Sequence, residues 1–226
     1  MIIKKKVKKK NKMKKSEWNS HYKKNKSVLS YPDENLVRLV AREIKNLGGG
    51  SRLNAIDIGC GSGRHMALLE ESGITGVYGS DYSFNALNIC RDAGFPLVIN
   101  CDNKYLPFRE ETFDIAVAWG SLHYSSKEDM RLMLGEIKRI MKSGGSLFAT
   151  LRRDNDTYLR TGKHLGNNTW RTGLDDLTGT VASFFNENEL KDIFSIFENF
   201  SYGWMERTII GDTGKVISHW IISAKK

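Results

Sequence analysis

The feature that most constrains the fold of this chain is an alternation of short apolar segments with helix-forming segments that begins at Leu53. Such an alternation is typical of repeated strand–helix–strand units, whose strands run parallel within one sheet. The strands are predicted near residues 53–58, 76–81, 97–100, 113–119 and 145–150, and the helices near 64–72, 83–93 and 127–142. The chain is therefore predicted to form an α/β fold with an open, doubly wound sheet and helices on both faces.

One amphipathic helix is predicted ahead of this core. Residues 35–47 carry apolar side chains at helical spacing, and Pro32 lies where the first turn of a helix accepts a proline. A run of glycines from Gly48 ends the segment. We expect residues 16–50 to form an N-terminal cap and residues 51–226 to form the main domain.

The alternation is interrupted once and then resumes in a different form. Residues 151–185 are rich in Arg, Asp, Asn, Thr and Gly, and we expect them to form a long loop that covers the substrate. A helix near 187–196 and strands near 198–209 and 215–224 follow, with a tight turn at 211–214. Because so short a turn joins antiparallel strands, the sheet is predicted to end in an antiparallel hairpin.

The net charge of +9 is concentrated at the N-terminus. Nine of the 35 lysines and arginines fall within residues 1–15, which leaves 26 basic residues against 26 acidic residues. This segment is predicted to be a disordered, solvated arm, and its alternative role is electrostatic attachment to RNA or to an anionic membrane surface. The balanced charge of the remaining chain argues against a nucleic acid as the main partner.

A glycine-rich segment follows the first predicted strand directly. Gly59, Gly61 and Gly63 let the backbone approach a ligand closely, and the first N–H groups of the next helix would face a phosphate or a carboxylate. Arg64 stands where a dinucleotide-binding fingerprint needs its third glycine, and the chain has no P-loop lysine motif. The segment is therefore predicted to bind an anionic ligand other than a dinucleotide or a nucleoside triphosphate.

Acidic residues end the second and third predicted strands. Asp81 lies where open α/β sheets place a carboxylate that accepts hydrogen bonds from ribose hydroxyls, and capping of the next helix is its alternative role. Asp102 is placed to accept from the exocyclic amine of a base, or to cap a turn.

Taken in order, these motifs resemble the class I methyltransferases that depend on S-adenosylmethionine (SAM), in particular the small-molecule enzymes of the type 11 and type 25 groups. The resemblance extends from about residue 50 to residue 150. The matching motifs are Ala55 to Gly63, Asp81-Tyr82, Cys101-Asp102-Asn103 with Leu106-Pro107-Phe108, Phe113 to Val117, and Ile137 to Gly145.

The resemblance implies a seven-stranded Rossmann-like sheet, SAM as the cofactor and S-adenosylhomocysteine (SAH) as its product. In this family the first motif holds the methionine part of SAM, the acid after the second strand binds the ribose, and the third motif contacts the adenine. The cofactor-binding residues would accordingly be Asp57, Gly59, Cys60, Gly61, Gly63, Asp81, Tyr82, Asp102 and Asn103, and Trp119 is expected to line the same pocket.

The reaction of this family is an in-line displacement by a substrate nucleophile on the sulfonium methyl. The leaving thioether needs no proton, so positioning supplies much of the catalysis. A general base is needed only for a nucleophile that must lose a proton, such as a hydroxyl. His123, just after the fourth predicted strand, is the candidate base. Its alternative roles are a hydrogen-bonded histidine near the sheet edge or a residue that surrounds the cofactor.

Two groups of residues are predicted to recognise the substrate, because both can close over the carboxyl ends of the strands. The first is aromatic and consists of Trp18, Tyr22 and Tyr31. The second is basic, would suit a carboxylate or a phosphate, and consists of Arg152, Arg153 and Arg160. Ordinary solvated arginines are the alternative for the second group.

The predicted function is transfer of a methyl group from SAM to a small molecule, such as a hydroxylated or acidic metabolite. The alternatives are an RNA methyltransferase that uses the lysine-rich arm and a SAM-binding module without catalysis. No metal is predicted, because the histidines and cysteines are scattered. The three cysteines are expected to be reduced thiols in a cytoplasmic protein without a membrane span.

Overall fold

The structure is a computed structural model that describes residues 15–23, 28–175 and 177–226. The predicted lysine-rich arm at residues 1–15 lies outside the described residues, apart from the helical backbone of Lys15. None of the described helices is long and apolar enough to cross a membrane.

Ten strands and six helices are present in the described part of the chain. The strands are β1 (Asn54–Ile58), β2 (Gly76–Asp81), β3 (Val98–Asn100), β4 (Phe113–Ala118), β5 (Met141–Arg153), β6 (Lys163–Gly166), β7 (Thr169–Arg171), β8 (Val181–Phe185), β9 (Asn199–Ile209) and β10 (Asp212–Lys225). The helices are α1 (Lys15–Lys23), α2 (Glu34–Asn46), α3 (Arg64–Glu71), α4 (Phe84–Asp92), α5 (Lys127–Ile140) and α6 (Glu187–Phe194).

Seven of the strands form the central sheet, in the order β3-β2-β1-β4-β5-β10-β9. Strands β1 to β5 run parallel, whereas β10 pairs antiparallel with β5 and β9 pairs antiparallel with β10. The predicted α/β class, the mostly parallel sheet and the C-terminal antiparallel hairpin are confirmed.

Helices cover both faces of the sheet because apolar residues of each central strand point alternately to the two sides. On β1, Ile56 and Ile58 pack in the core beneath α5 and α6, whereas Ala55 packs in the core beneath α2, α3 and α4. On β4, Ala116 belongs to the first core and Val117 to the second. Burial on both faces explains why these strands are apolar throughout their length.

Short polar side chains fix where the helices begin. Asp33, Ser83, Ser126 and Asn186 cap α2, α4, α5 and α6, each accepting a hydrogen bond from a backbone N–H of the first turn. Pro32 therefore precedes the cap of α2, and its expected position inside the first turn is wrong. The cap at Ser83 also removes helix capping as an explanation for Asp81.

The segment at 151–185 is not the long irregular loop that its polar composition indicates. It contains β6, β7 and β8, which form an antiparallel meander, and β8 lies beside the end of β5. Asn167 and Asn168 both have positive φ angles, of 47° and 48°, in the two-residue turn between β6 and β7. Asparagine tolerates that conformation, so the Asn-Asn pair was the local signal for this hairpin. The backbone N–H of Ser183 on β8 donates to the carbonyl of His123 at 2.9 Å, which holds the meander against the site.

Helix α1 packs against the start of α4. The side-chain oxygen of Asn19 accepts from the hydroxyl of Ser83 at 2.9 Å, and its backbone carbonyl accepts from the amide of Asn85 at 2.8 Å. Trp18, His21 and Tyr22 are spaced so that they lie on one face of the helix, and this face is turned toward the carboxyl edge of the sheet.

Candidate active site

A cleft of about 1440 Å³ lies at the carboxyl ends of the parallel strands. This is the edge at which open α/β sheets bind ligands. One end of the cleft is formed by the glycine segment after β1 and by the residues after β2 and β3, and the other end is formed by residues of β5, β9 and β10. Helix α1 and residues of the β6–β8 meander line its remaining sides.

The glycine segment leaves no room for side chains at two positions. Gly59 has a φ of +75°, and a Cβ atom there would lie 2.4 Å from the Cβ atom of Ser121. Gly61 has a φ of +55°, and a Cβ atom there would lie 2.5 Å from the hydroxyl of Tyr22. These glycines are required for the path of the backbone and for the space above it.

Gly63 has a different role from the one that the resemblance implies. It is the N-cap residue of α3, and a Cβ atom at this position would approach Phe95 and Cys90 at 3.1 to 3.2 Å, inside the core. It shapes the turn, whereas Gly59, Cys60, Gly61 and Ser62 line the cleft. The sulfur atoms of Cys60 and Cys90 lie 3.9 Å apart as free thiols.

Asp81 holds the glycine segment to the end of β2. Its carboxylate accepts from the backbone N–H of Gly61 at 2.9 Å and from that of Ser83 at 2.7 Å. Burial raises the pKa of Asp81 from 3.8 to about 6, although the backbone donors oppose that rise. Each carboxylate oxygen can accept a further hydrogen bond toward the cleft.

Asp57 lies behind the glycine segment at the end of β1. Its side chain is 1% exposed, and neither carboxylate oxygen has a hydrogen-bond partner. The Nδ1 atom of His65 lies 3.8 Å from Oδ2 of Asp57, too far for a hydrogen bond. A buried carboxylate without a partner is costly, so the site calls for a donor or a cation that the polypeptide does not supply.

The loop after β3 brings two further predicted residues to the cleft. Asp102 accepts from the backbone N–H of Lys104 at 3.1 Å, as the turn-capping alternative predicts, and it also lines the cleft. The side-chain oxygen of Asn103 is buried without a partner. Tyr82 and Trp119 line the same end.

Two of the three aromatic residues predicted at the N-terminus reach the cleft. Trp18 packs edge-on against Tyr124 with ring centroids 4.9 Å apart, and Tyr22 lies over Gly61. Burial raises the pKa of Tyr22 well above its usual range. Tyr31 is 84% exposed and does not line the cleft, so the structure does not support its predicted substrate role; its carbonyl accepts from Arg64 instead.

His123 lies in the cleft and is 1% exposed. Neither ring nitrogen has a partner of ordinary hydrogen-bond geometry, and the backbone of Thr150 offers only a weak contact. Burial, and then the neighbouring side chains of Arg152 and His219, hold the pKa of His123 well below its usual range. His123 is therefore a neutral imidazole at physiological pH.

Arg152 and Arg153 are separated by the alternation of side chains along β5. Arg152 faces the cleft and forms a buried ion pair with Asp156, with Nη1 and Oδ2 2.5 Å apart. Arg153 points to the opposite face, where its guanidinium packs over Trp204 and Trp220. The predicted substrate role of Arg153 is wrong for this reason.

The third predicted arginine is also turned away from the substrate region. Arg160 donates to the backbone carbonyl of Asp154 and lies over the rings of Trp170 and Phe184. It does not line the cleft, and its role is to hold the meander together.

The cleft is also lined by cationic or imidazole side chains that the sequence did not single out as ligands, among them Arg64, Arg207 and His219. Arg64 follows the glycine segment directly, so its place beside the ligand was marked by a local motif, although the sequence analysis takes it only as evidence against a dinucleotide. Arg207 and His219 lie on β9 and β10, and they reach the site only through strand pairing. No local motif marks them.

Among the described residues, no three His, Cys, Asp or Glu side chains are placed to hold a metal ion.

Residues 56–149 match the family model of a methyltransferase domain. The chain is 34% identical over 92 residues to a human protein named probable tRNA methyltransferase 9B, which corresponds to 40% of this chain and 19% of that relative. It is 33% identical over 125 residues to an Arabidopsis thaliana tRNA (carboxymethyluridine(34)-5-O)-methyltransferase, or 54% of this chain and 30% of that relative. The chain thus spans less than a third of the length of these relatives.

A solved structure shows the same fold over nearly the whole chain. It is the Burkholderia thailandensis 1,6-didemethyltoxoflavin-N1-methyltransferase with bound 1,6-didemethyltoxoflavin and SAH. The TM-score is 0.66 at 18% identity, over 94% of this chain and 86% of that one. Residues 56–149 thus match a methyltransferase domain, and the fold over most of the chain is the one seen in that SAH-bound methyltransferase.

Proposed function

We propose that the protein transfers the methyl group of SAM to a small molecule, a hydroxylated or acidic metabolite that binds at the end of the cleft formed by β5, β9 and β10. The observation that carries this proposal is the continuity of the cleft. One space joins the glycine segment and Asp81 to His123 and His219, so a cofactor and an acceptor fit end to end.

The residues at the first end fit SAM by their chemistry. The glycine segment with Arg64 would hold the methionine part, Asp81 the ribose, and Asp102 with Asn103 the adenine. The absence of side chains at Gly59 and Gly61 leaves the backbone open to the ligand. The unpartnered carboxylate of Asp57 matches the ammonium group of the methionine part, which would stabilise it directly or through water.

When bound, SAM supplies an electrophilic methyl group on a sulfonium. The polypeptide then has to hold the acceptor atom in line with that methyl and keep water away. Trp18, Tyr124 and the β6–β8 meander enclose the acceptor end. For a hydroxyl acceptor, neutral His123 is the group that would take up the proton, since its ring nitrogens have no strong partner.

Saturating SAH is expected to raise the melting temperature of the protein, because a ligand at 100 times its Kd stabilises the folded state by about 2.7 kcal/mol. The same preparation, given SAM with a deuterated methyl group and a panel of hydroxylated and acidic metabolites, should yield labelled product. No stabilisation at millimolar SAH would contradict cofactor binding. Stabilisation without transfer to any acceptor would favour a SAM-binding module without catalysis.

RNA is the second candidate acceptor, for two reasons. Two of the relatives are named tRNA methyltransferases, and nine lysines lie within residues 1–15. Adding bulk tRNA to the same assay separates the candidates. Labelled RNA whose yield falls steeply with salt and disappears when residues 1–14 are deleted would select RNA, and labelling confined to small molecules would exclude it.

A further inference from the structure

The acceptor end of the cleft is built from one face of three neighbouring strands. Arg152 on β5 is in register with His219 on β10, and His219 is in register with Met205 on β9. Two residues further along β9, Arg207 pairs with Ile217 and lies on the same face. Strand register therefore places two arginines and a histidine side by side, next to the ring of His123, whose centroid is 5.8 Å from that of His219.

The charges at this end do not cancel. Arg152 is neutralised by Asp156, which is 0% exposed and also accepts from the backbone N–H groups of Leu159 and Ser218. Glu206 on β9 is engaged by Arg153, Asn155 and Ser218. Within the described part of the chain, no carboxylate pairs with Arg207. One uncompensated cation remains.

Some buried nitrogen atoms at this end of the cleft also lack a hydrogen-bond partner. Both ring nitrogens of buried His123 lack a partner of ordinary geometry, and so does the buried Nε of Arg152. Each neutral histidine has one N–H group to donate. A buried polar side chain without a partner is costly, and two such side chains in one pocket indicate a ligand rich in acceptor atoms.

The state of the two histidines follows from the same surroundings. Burial, and then Arg152 and Arg207, lower the pKa of His219 to about 3. The charged and titratable groups that face this pair are Arg152 and Asp156 from the β5 side, Arg207 from β9, and Tyr124 after β4. The histidines are thus neutral donors, and the net charge of the pocket comes from Arg207.

We propose that this pocket binds a monoanionic carboxylate of the acceptor, held by Arg207 and by the N–H groups of His123 and His219, and that this carboxylate is the methylated group. One uncompensated cation matches one negative charge, whereas a phosphate dianion would exceed it. The inference rests on the proposed function and names the class of its substrate.

The chemistry balances without a base. A carboxylate oxygen forms the new bond to the methyl carbon, the bond from that carbon to sulfur breaks, and its electron pair stays on sulfur as the thioether. The product is a neutral methyl ester, and no proton moves. A neutral ester no longer matches the charge of Arg207, which favours its release.

Calorimetry on the SAH-loaded protein tests this proposal with three probes: phenylacetate, its neutral isostere phenylacetamide and inorganic phosphate. Phenylacetate suits the rings of Trp18, Tyr124 and Tyr158 that line the cleft. We expect phenylacetate to bind at least tenfold more tightly than phenylacetamide, and phosphate to bind more weakly than phenylacetate. Arg207→Gln should weaken phenylacetate binding roughly 10- to 100-fold, the usual cost of a hydrogen bond to a charged group.

Two variants serve as controls. Arg42→Gln removes an exposed arginine of α2 outside the cleft and should leave phenylacetate binding unchanged. Arg207→Lys keeps the charge and should retain part of the affinity. Equal binding of phenylacetate and phenylacetamide, or an Arg207→Gln protein that binds phenylacetate normally, would overturn the proposal. Tighter binding of phosphate would replace the carboxylate by a phosphate.

These measurements distinguish a failure of the carboxylate proposal from a failure of the proposed function. If SAH binds but carboxylates are not preferred, only the substrate class is wrong. If SAH does not bind at all, the assignment of the cofactor is wrong, and binding of phenylacetate to the unloaded protein still reports on the pocket.

Discussion

Asp81→Ala is expected to weaken the binding of SAH by roughly 10- to 100-fold at pH 7.5, equivalent to about 1.5 to 3 kcal/mol for hydrogen bonds to a charged group. Two effects combine. The substitution removes the acceptor for the ribose hydroxyls, and it releases the backbone N–H of Gly61 that Asp81 holds at 2.9 Å. Titration calorimetry on the two proteins measures the difference.

The pH dependence separates the carboxylate from a merely structural role. Since the pKa of Asp81 in the free protein is about 6 and hydroxyl donors favour the ionised form, SAH affinity should fall as the pH falls through 6, by up to about tenfold per pH unit. Asp81→Asn should bind weakly with a flatter pH profile. Asp92→Ala, an exposed acid on α4, is the matched control and should behave like the wild type. Unchanged SAH affinity in Asp81→Ala would remove the ribose assignment.

Arg152→Met is expected to lower the free energy of unfolding by about 3 to 5 kcal/mol, because it leaves the buried carboxylate of Asp156 without its cation. Urea denaturation measures the loss. The adjacent Arg153→Met removes the same side chain from the opposite face, where it packs over two tryptophans, and should cost only about 1 kcal/mol.

A double variant distinguishes loss of charge balance from loss of packing. Asp156→Asn removes the negative charge and keeps an acceptor for one of the two backbone N–H groups, those of Leu159 and Ser218, that the carboxylate binds. Arg152→Met combined with Asp156→Asn should therefore be more stable than Arg152→Met alone. A loss below 1 kcal/mol in Arg152→Met would show that Arg152 is free for a substrate, as the sequence suggested.

The end of the cleft that we propose to bind SAM was predictable because its signals are local. A strand, a glycine segment and a helix follow each other without interruption, and the next acids occur where successive parallel strands end, so Gly59, Gly61 and Asp81 come together by topology alone. The prediction of a mostly parallel sheet with a C-terminal hairpin required only the alternation of elements and the tight turn before β10.

The acceptor end was not predictable, because it depends on register between distant strands. His219 meets Arg152 only through the pairing of β10 with β5, and a shift of one residue would turn both to the other face. Because successive side chains of a strand point to opposite faces, Arg152 faces the cleft and Arg153 does not. Sequence composition grouped the two arginines, whereas the pleat of the strand separates them.

The strands of the meander at 151–185 could not be predicted from the sequence for a different reason. Its strands are three to five residues long, too short for an apolar period to be visible, and only the Asn167-Asn168 turn marked them. The small core of Leu159, Ala182 and Phe184 gives the meander its own packing. The meander therefore lines one side of the proposed acceptor end, although its composition is that of a loop.

A crystal structure of the protein with SAH tests the account most directly. We predict that the methionine carboxylate lies on the segment from Gly59 to Arg64, that the ribose hydroxyls lie within about 3.2 Å of the Asp81 carboxylate, and that the sulfur faces His123 and His219. SAH with its ribose away from Asp81, or with its sulfur facing away from His123, would contradict it.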